Sequence, residues 1–551
     1  MDNIRLYLML ALAFTGMLLW QAWQQDYGQV APAATTATTG EQPTDMAGEV
    51  PQPIPVSADR PATAVPAMSG EQTPAAQTIE VLTDTLRLKI DTRGGTIVEA
   101  DLQDYPVSLD EPDKKFVLLS TEGDFFIAQS GLLSQASERA PTHQAVFTSA
   151  QTHYEMGPGA DSLVVDLNWS GPHGEQVTKR YRFTRGSHLV HLEQIVSNQG
   201  DQPLTVGEYR QLQRTEPEKH GQTAMMYTYT GGAIYSPEDK YQKYKFEQLA
   251  EGKLNRDVTG GWVAMIQHYF VAAIIPPSDE RMHFEGQRVG NARYLIRAKS
   301  PNVVVAPGAS HTFGGSLWLG PKLQDQLAKI APGLDLTVDY GWLAFLAQPM
   351  WWILEWIHDF VGNWGWTIII FTILIKLVFF KLSETSYRSM ANMRKLGPRI
   401  QALKDRYGDD KQRMQQAMME MYKKEKINPL GGCLPMLVQI PFFISLYWVL
   451  LESVELRQAP WILWIQDLSI KDPYFVLPLL MGVTMFLQQK LNPAPPDPLQ
   501  AKIMMALPVV FTAMFAFFPS GLVLYWFVNN LLSIAQQWVI TRRIEQGAAK
   551  A

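Results

Sequence analysis

A lysine interrupts the apolar stretch Trp364–Phe380, which reads WGWTIIIFTILIKLVFF. About seventeen helical residues cover roughly 25 Å, so the stretch is long enough to cross the hydrocarbon core of a bilayer. A lysine near the middle of such a helix costs on the order of 3 kcal/mol unless it faces protein or water. Lys376 therefore indicates either a polar cavity within the membrane or a side chain that extends to the interface near Lys381. Thr372, one turn earlier, lies on the same face.

Other apolar stretches carry amide and hydroxyl side chains at helical spacing, which bears on the cavity hypothesis. These side chains are Gln439 in stretch 436–451, Thr484 and Gln488 in 474–489, and Asn529, Ser533 and Gln536 in 522–540. Amides in a helix bundle also join helices to one another, so each set taken alone has two interpretations. Polar faces on four helices, together with an intramembrane lysine, favour a wetted groove that opens to the cytoplasm.

The sequence lacks the residues that several classes of function would require. None of the apolar stretches contains Asp or Glu, which a proton-coupled transporter would be expected to carry. A Ser/His pair across the stretches, a nucleotide-binding motif and metal-ligand spacing of Cys and His are also missing. We therefore expect neither an enzyme nor a metal or other cofactor. The net charge of −6 argues against a dedicated nucleic-acid site.

Six apolar stretches predict six transmembrane helices, at about 4–23, 364–380, 436–451, 474–489, 503–518 and 522–540. The first belongs to an amino-terminal anchor at 1–23. Basic residues concentrate in 381–426, so this loop is predicted to be cytoplasmic by the positive-inside rule. With six spans both termini are then cytoplasmic, including a tail at 544–551, and the polar segment that follows the anchor is outside.

The polar segment has two parts of different composition. Residues 24–77 are rich in Ala, Thr, Pro and Gln and predict a disordered tether. Residues 78–335 show alternation typical of strands, for example in 85–90 and 162–169, with turn signals at Gly94-Gly95 and Gly171-Pro172. This pattern predicts a large antiparallel β-sandwich. Its histidines His188 and His191 are expected to be strand surface residues rather than ligands.

Residues 340–361 predict an amphipathic helix that lies in the membrane interface. Five aromatic residues recur there at helical spacing: Trp342, Phe345, Trp352, Trp356 and Phe360. Gln348, Glu355 and Asp359 share the other face. Tryptophan at such positions is typical of the headgroup level of a bilayer.

The basic loop predicts a cytoplasmic helical hairpin over 383–428. Ile400, Leu403 and Tyr407 form one apolar stripe, and Met414, Met418 and Met421 form a second. Gly408, Asp409 and Asp410 provide the turn and the helix cap between them. The methionines either pack the two helices together or form a soft surface for peptide segments. The positive charge suits membrane phosphates, ribosomal RNA or acidic substrate segments.

Four stretches carry a resemblance to a known family: NPLGGCLPMLVQIPFFISLYWVL (428–450), SVELRQAP (453–460), DPYFVLPLLMGVTMFLQQK (472–490) and FPSGLVLYWFVNN (518–530). The chain resembles the YidC/Oxa/Alb family of membrane protein insertases, in the Gram-negative type with a large periplasmic domain. The similarity runs from about residue 340 to 543. It extends more loosely over the amino-terminal anchor and VLTDTLRLKIDTRGGTIVEADL (81–102).

The resemblance implies a five-helix core at 362–543 that encloses a hydrophilic groove with one positive charge, which falls on Lys376. The family's aromatic substrate-contact pair falls on Tyr525 and Trp526, and its substrate-capturing hairpin falls on 383–428. The implied partners are nascent membrane proteins, the SecYEG translocon, SecDF, translating ribosomes and membrane lipids.

We therefore predict a polytopic α-helical membrane protein with a periplasmic all-β sandwich, which inserts and helps to fold inner-membrane proteins. The main alternative is a solute channel or transporter, which would predict a continuous pore, charges on several spans and an inverted repeat. A second alternative makes the sandwich a ligand-binding sensor module with the helices as its anchor.

Overall fold

The computed structural model describes residues 76–217, 228–290, 292–408, 410–425, 434–491 and 498–549. Within these ranges, residues up to Asp339 form one compact unit and residues from Tyr340 onward form a second. The predicted anchor at 1–23, the predicted tether through residue 75 and Asp409 lie outside the described residues.

The first unit is built from strands, as the alternating sequence predicts. Its strands are β1 (Thr78–Leu82), β2 (Leu86–Asp91), β3 (Thr96–Pro106), β4 (Lys115–Leu119), β5 (Phe126–Ser134), β6 (Thr148–Ser149), β7 (His153–Glu155), β8 (Ser162–Ser170), β9 (Glu175–Thr184), β10 (Leu189–Asn198), β11 (Leu204–Thr215), β12 (Gly231–Ser236), β13 (Lys240–Tyr244), β14 (Asn255–Thr259), β15 (Trp262–Ile266), β16 (Phe270–Ile275), β17 (Arg281–Val289), β18 (Arg293–Lys299), β19 (Val303–Val305), β20 (Ser310–Phe313) and β21 (Ser316–Pro321). Two short helices accompany them, α1 (Phe246–Ala250) and α2 (Gln324–Ile330).

Two sheets contain these strands. The first has eleven strands in the order β14-β17-β18-β11-β5-β3-β2-β1-β7, with β19 beside β11 and β4 beside β3. The second has ten in the order β13-β12-β15-β16-β21-β10-β9-β8-β6, with β20 beside β10. The pairs are antiparallel except for β1 with β7, which is parallel. Leu86, Leu88 and Ile90 of β2 are buried, whereas the intervening Arg87 is exposed, so this sheet has one face toward a core.

The Gly94-Gly95 turn connects β2 to β3 and depends on glycine. Gly94 has φ of +73°, and a Cβ atom there would lie 2.3 Å from the His143 carbonyl oxygen. Lys179 of β9 crosses the interior to the same turn, donating to the Gly94 carbonyl at 2.5 Å and to the Ser130 carbonyl at 2.6 Å. Burial, with the positive charge of Arg210 nearby, lowers the pKa of Lys179 to about 7. The second sheet is thus tied to the first through a buried lysine.

His188 corrects the prediction that both histidines are strand surface residues. It lies in the loop before β10 begins, where strand alternation does not apply. The ring is 4% exposed and packs against Trp318, with centroids 5.5 Å apart. Burial lowers the pKa of His188 to about 4. His191, within β10, is half-buried and its Nδ1 lies 2.9 Å from Ser316 Oγ.

The second unit is helical. Its helices are α3 (Ala344–Val361), α4 (Trp364–Val378), α5 (Phe380–Lys395), α6 (Gly397–Tyr407), α7 (Lys411–Lys424), α8 (Leu434–Glu452), α9 (Val476–Leu491), α10 (Pro498–Phe515) and α11 (Ser520–Ala549). Helix α11 packs against both α9 and α4, and α3 packs against α4 and α8. Most helix ends lie within about five residues of the ends of the predicted apolar stretches, and three further differences concern how the helices are divided and extended.

The first difference is a break inside the lysine-bearing stretch. The helix axis bends by 63° between α4 and α5, so the helix predicted over 364–380 ends at Val378. The second is that residues 383–395 of the predicted hairpin belong to α5, which starts at Phe380 directly after this bend, so the hairpin consists of α6 and α7. The third is that α11 continues to Ala549, through the predicted tail. Arg, Glu, Gln and Ala favour helix in water, so the helix outlasts its apolar part.

Among the described residues, hydropathy alone identifies one candidate membrane span. It is the bent pair formed by α4 and the first part of α5, whereas no single helix of eighteen or more described residues passes the same test. Shorter apolar helical segments occur at Val438–Glu452, Val476–Leu491 and Ala501–Phe515.

The five aromatic side chains predicted to share one face of α3 and the turn before it all point outward. Trp342, in the short turn before the helix, is 78% exposed, and Phe345 and Phe360 are each 74% exposed. Its buried face consists of Ala347, Met350, Trp351, Leu354 and Ile357. The helix is therefore apolar on two faces, which differs from the predicted division into one aromatic and one polar face. Gln348 and Glu355 are half-buried at its borders.

Candidate functional site

Lys376 lies on α4 with its side chain turned into the helical unit. The residue is 5% exposed, and its Nζ donates a hydrogen bond to Ser533 Oγ of α11 at 2.7 Å. Ser533 in turn donates to the carbonyl oxygen of Asn529 at 2.7 Å. Gln536 Nε2 donates to the Lys376 carbonyl at 3.4 Å, close to the point where α4 ends. The lysine and the polar face of α11 therefore form one cluster, which we call the lysine cluster (Lys376, Asn529, Ser533 and Gln536).

Helix α5 adds residues that the sequence patterns did not single out. Ser383 and Ser386 are buried, at 4% and 3% exposure. Tyr387 follows on the same face, and its hydroxyl interacts with Ser533. The spacing i, i+3, i+4 directly after Lys376 was the available signal, since these residues share one side of a helix. The bend after α4 brings this hydroxyl face against α11, beside the lysine.

A second polar stripe on α11 joins it to α9. Asn530 Nδ2 donates to Thr484 Oγ1 at 3.5 Å, and Gln537 Nε2 donates to the Leu491 carbonyl at 3.1 Å. Asn530, Gln537 and Thr484 are all buried. These amides join two helices, and they account for the Thr484 predicted as groove lining. Sequence reasoning missed Asn530 and Gln537 because their neighbours in the chain already formed a polar face.

The other predicted lining residues lie apart from the lysine cluster. Thr372 is fully buried, and its hydroxyl donates to the Ile368 carbonyl of its own helix at 2.6 Å. Gln439 on α8 and Gln488 on α9 are half-buried. The hydrogen bonds described around Lys376 do not include either glutamine.

The predicted aromatic pair packs in an aromatic cluster with α8 and α10. The Tyr525 ring is stacked with Phe443 at 6.1 Å, and Trp526 meets Phe443 edge-on at 4.6 Å and Phe515 at 5.5 Å. Tyr525 is buried, whereas Trp526 is half-buried. Ser533, which holds the lysine, follows Trp526 by seven residues, so Trp526 lies about 10 Å from Ser533 along the axis of α11.

Helices α6 and α7 pack against each other and form the hairpin. Met414, Met418 and Met421 are half-buried on α7, as are the apolar residues of α6 opposite them. Met419 differs, at 54% exposure. Asp410 caps α7 by accepting a hydrogen bond from the backbone nitrogen of Arg413 at 3.0 Å. The predicted methionine stripe is thus partly covered, whereas Met419 is open to its surroundings.

The lysine cluster contains polar groups that lack a partner among the described residues. Within the described part of the chain, no carboxylate lies within ion-pair distance of Lys376. Among those residues, buried Gln536 Oε1 and Trp526 Nε1 have no hydrogen-bond partner. Buried polar atoms normally bind protein or water. A cation without a carboxylate partner, together with the unpaired amide oxygen of Gln536, suits water or an anionic, hydrogen-bonding segment.

Two family models together match most of the chain. The YidC periplasmic domain matches residues 78–353, and the 60Kd inner membrane protein matches residues 356–547. The chain is 52% identical to the membrane protein insertase YidC of Thioalkalivibrio sulfidiphilus, over 100% of both chains. It is 52% identical to that of Nitrosococcus oceani, over 99% of this chain and 100% of the relative. Among solved structures it is similar to an active YidC insertase, at 18% identity, TM-score 0.39 and coverage of 84% and 92%.

The first family model describes a periplasmic domain and the second an inner membrane protein, so the class is an inner-membrane protein with a periplasmic domain. The two family models and the full-length relatives specify which one. The chain belongs to the YidC family of membrane protein insertases.

Proposed function

We propose that this chain inserts integral membrane proteins into the bacterial inner membrane and helps them to fold. The lysine cluster carries the proposal, because it is a buried cation with no carboxylate partner in the described residues. Water or an anion stabilises a buried cation of this kind, and the described residues supply no anion beside it. An incoming segment with acidic residues fits that need.

The mechanism follows from the cost of moving polar groups through lipid. Each unsatisfied backbone group costs several kcal/mol in hydrocarbon, so a substrate's polar tail requires a path lined with partners. Ser533, Gln536 and Lys376 offer a donor and acceptor set within the bundle. The substrate's apolar segment leaves toward lipid past Trp526, and its burial there supplies free energy without ATP.

The remaining assignments extend the same proposal. The helical unit crosses the membrane several times with both termini in the cytoplasm, and the sandwich lies in the periplasm. The α6–α7 hairpin gathers the nascent chain at the cytoplasmic side. The partners are nascent membrane proteins, membrane lipids, the translating ribosome and, for some substrates, SecYEG and SecDF.

Lys376→Ala should reduce insertion of substrates whose translocated tail carries Asp or Glu, because the cation that attracts those carboxylates is lost. Substrates with neutral tails should be affected much less. The measurement is protease protection of the tail after translation into proteoliposomes that contain the purified full-length chain. Lys376→Arg, which keeps the charge, is the matched control and should retain most of the insertion.

Equal insertion by the Ala variant and the parent chain would rule out an electrostatic role for Lys376. Photoreactive probes at Gln439 and Trp526 then decide between an insertase and a transporter. A stalled nascent membrane protein should crosslink to both positions. Solute flux that depends on Lys376 without any such crosslinks would favour the transporter.

A further inference from the structure

The loop between α8 and α9, residues 453–475, exposes large apolar side chains. Leu463 is 71% exposed, Tyr474 67%, Ile470 54% and Ile462 43%. A soluble loop of this size normally has polar residues at its tip. An apolar tip on a loop that connects two apolar helices therefore indicates an environment other than bulk water.

The backbone at two of the exposed apolar residues is strained. Leu463 has φ of +56° and Phe475 also has φ of +56°. Bulky side chains rarely adopt this left-handed region, which favours Gly and Asn. Both positions nevertheless carry large apolar groups, and Phe475 is 37% exposed. Such strain persists where the surrounding structure fixes it, and it often marks a functional segment.

The inner side of the loop holds it rigidly against the helices. Asp472 is fully buried and accepts hydrogen bonds from Trp464 Nε1 at 3.0 Å and from the backbone nitrogen of Leu477 at 2.7 Å. Asn363 Nδ2, at the start of α4, donates to the Pro460 carbonyl at 3.1 Å. Trp461 packs so closely on Gly365 that a Cβ atom there would lie 2.0 Å from the indole. The exposed side chains are thus presented by a fixed frame.

The loop also satisfies much of its backbone internally, as a segment near lipid requires. Trp461 donates from its backbone nitrogen to the Ile465 carbonyl at 2.9 Å, and Leu468 donates to the Ala459 carbonyl at 3.0 Å. Lys471 Nζ lies 5.8 Å from the ring centre of Phe475. An ammonium group beside an aromatic ring is the arrangement that side chains take at the headgroup level.

We infer that loop 453–475 is a lipid anchor that inserts Ile462, Leu463 and Phe475 into the outer-leaflet interface of the bilayer. The inference rests on the proposed membrane location of α8 and α9. Continuity with these helices identifies the occupant, because the ends of a loop between two membrane helices lie at the bilayer surface and the contacts with Asn363, Gly365 and Leu477 keep this loop close to the helix ends. The anchor fixes the depth of the helical unit in the bilayer.

The test uses the full-length chain in proteoliposomes, with Cys433 replaced by Ser and a single cysteine introduced at Leu463. An environment-sensitive fluorophore on that cysteine should be quenched by lipids with a spin label near the headgroup. Aqueous iodide should quench it several-fold less than it quenches the same fluorophore at Gln466. Gln466→Cys is the matched control, since this polar residue is exposed in the same loop.

A probe at Val509, 69% exposed on α10, separates this inference from the proposed function. Lipid quenching at Val509 with full iodide access at Leu463 overturns the anchor and leaves the membrane location intact. Protection from both quenchers at Leu463 shows that protein covers the loop, which also overturns the anchor. Absence of lipid quenching at both positions contradicts the proposed function itself. Insertion activity of each labelled variant confirms that it is folded.

Discussion

Lys376 and His188 show two ways in which a titratable side chain is buried in this molecule. Lys376 is held by a single hydroxyl, that of Ser533, at 2.7 Å. This suits the compact charge of an ammonium group, whereas a guanidinium would present five donors to the same small set of acceptors. His188 lies among aromatic rings, and neither of its ring nitrogens has a hydrogen-bond partner among the described residues. The Lys376 ammonium group can therefore still donate hydrogen bonds to another group, whereas the His188 ring serves as apolar packing.

His188 should make the sandwich sensitive to acid. Its pKa in the folded chain is about 4, below the ordinary 6.5, because burial disfavours the charged ring. The unfolded chain therefore binds a proton that the folded chain does not. The contribution of the neutral His188 ring to the free energy of unfolding is fully present above about pH 6.5. It falls as the pH drops toward 4, by about 3 kcal/mol in all. Hydrogen exchange of the β10 and β21 amides in the full-length chain, at pH 7.5 and 5, measures this loss.

His188→Phe keeps a ring in the pocket and removes the titration, so its exchange rates, corrected for intrinsic chemistry, should depend less on pH. His191→Gln is the matched control, because it removes a half-buried histidine from the adjoining strand. If His188→Phe remained as acid-sensitive as the parent chain, other groups would account for the effect.

At the scale of elements, close helix contacts depend on glycine and hydroxyl pairs. A Cβ atom at Gly482 of α9 would lie 2.1 Å from Thr512 Oγ1 of α10. Thr512 is itself held, since its hydroxyl donates to the Pro508 carbonyl at 2.6 Å. Small residues at such crossings let two helix backbones approach closely.

Gly482→Ala should therefore destabilise the helical unit by about 1–3 kcal/mol, the usual cost of overpacking. Adding Thr512→Ala removes the hydroxyl that clashes and should recover most of the loss. Thermal unfolding in detergent, followed by tryptophan fluorescence, provides the comparison. Gly397→Ala is the control, because nothing lies within 4 Å of a Cβ atom at that helical glycine. Equal losses at both glycines would show that the effect is not due to the contact with Thr512.

Sequence patterns predicted strands and helices best where a single period of apolar residues dominates the stretch. The alternation in 85–90 gave β2, and the resemblance and hydropathy gave the helices of the second unit. The bend after Val378 was missed because the apolar run continues through it without Pro or Gly. The end of α11 was missed because hydropathy reports lipid contact, whereas helix propensity continues in water.

The candidate site was predictable only in part for a related reason. Residues three or four apart on one helix can be recognised from spacing, as with Ser533 and Gln536. The partners that α5 contributes depend on the angle of the bend, which spacing does not encode. The buried ion pair of Glu208 and Arg210, at 3.0 Å in the sandwich, was likewise invisible, because charged residues at alternate positions in a strand normally indicate a solvated face.

At the scale of the whole molecule, the proposed topology places the α6–α7 hairpin and loop 453–475, both in the helical unit, on opposite sides of the bilayer core. Single cysteines at Gln412 of α7 and Gln466, each in a chain with Cys433 replaced by Ser, test it directly. A membrane-impermeant maleimide should label Gln466→Cys in intact spheroplasts and Gln412→Cys only in inverted vesicles. Both residues are exposed polar side chains, so the two variants serve as controls for each other. Labelling of both from one side would contradict the six-span topology.

We expect the hydroxyl face of α5 to determine the free energy needed to expose the lysine cluster to water. Ser383 and Ser386 are small hydroxyl side chains, buried in the described structure, so moving this part of α5 into water would expose little apolar area of theirs. We expect the two arrangements to differ by a small free energy, and α5 lies next along the chain to the hairpin that meets the cytoplasm. Contact with the hairpin would therefore hydrate Lys376 through a movement of α5 alone. The same two serines, replaced by leucine, would keep the cation dry.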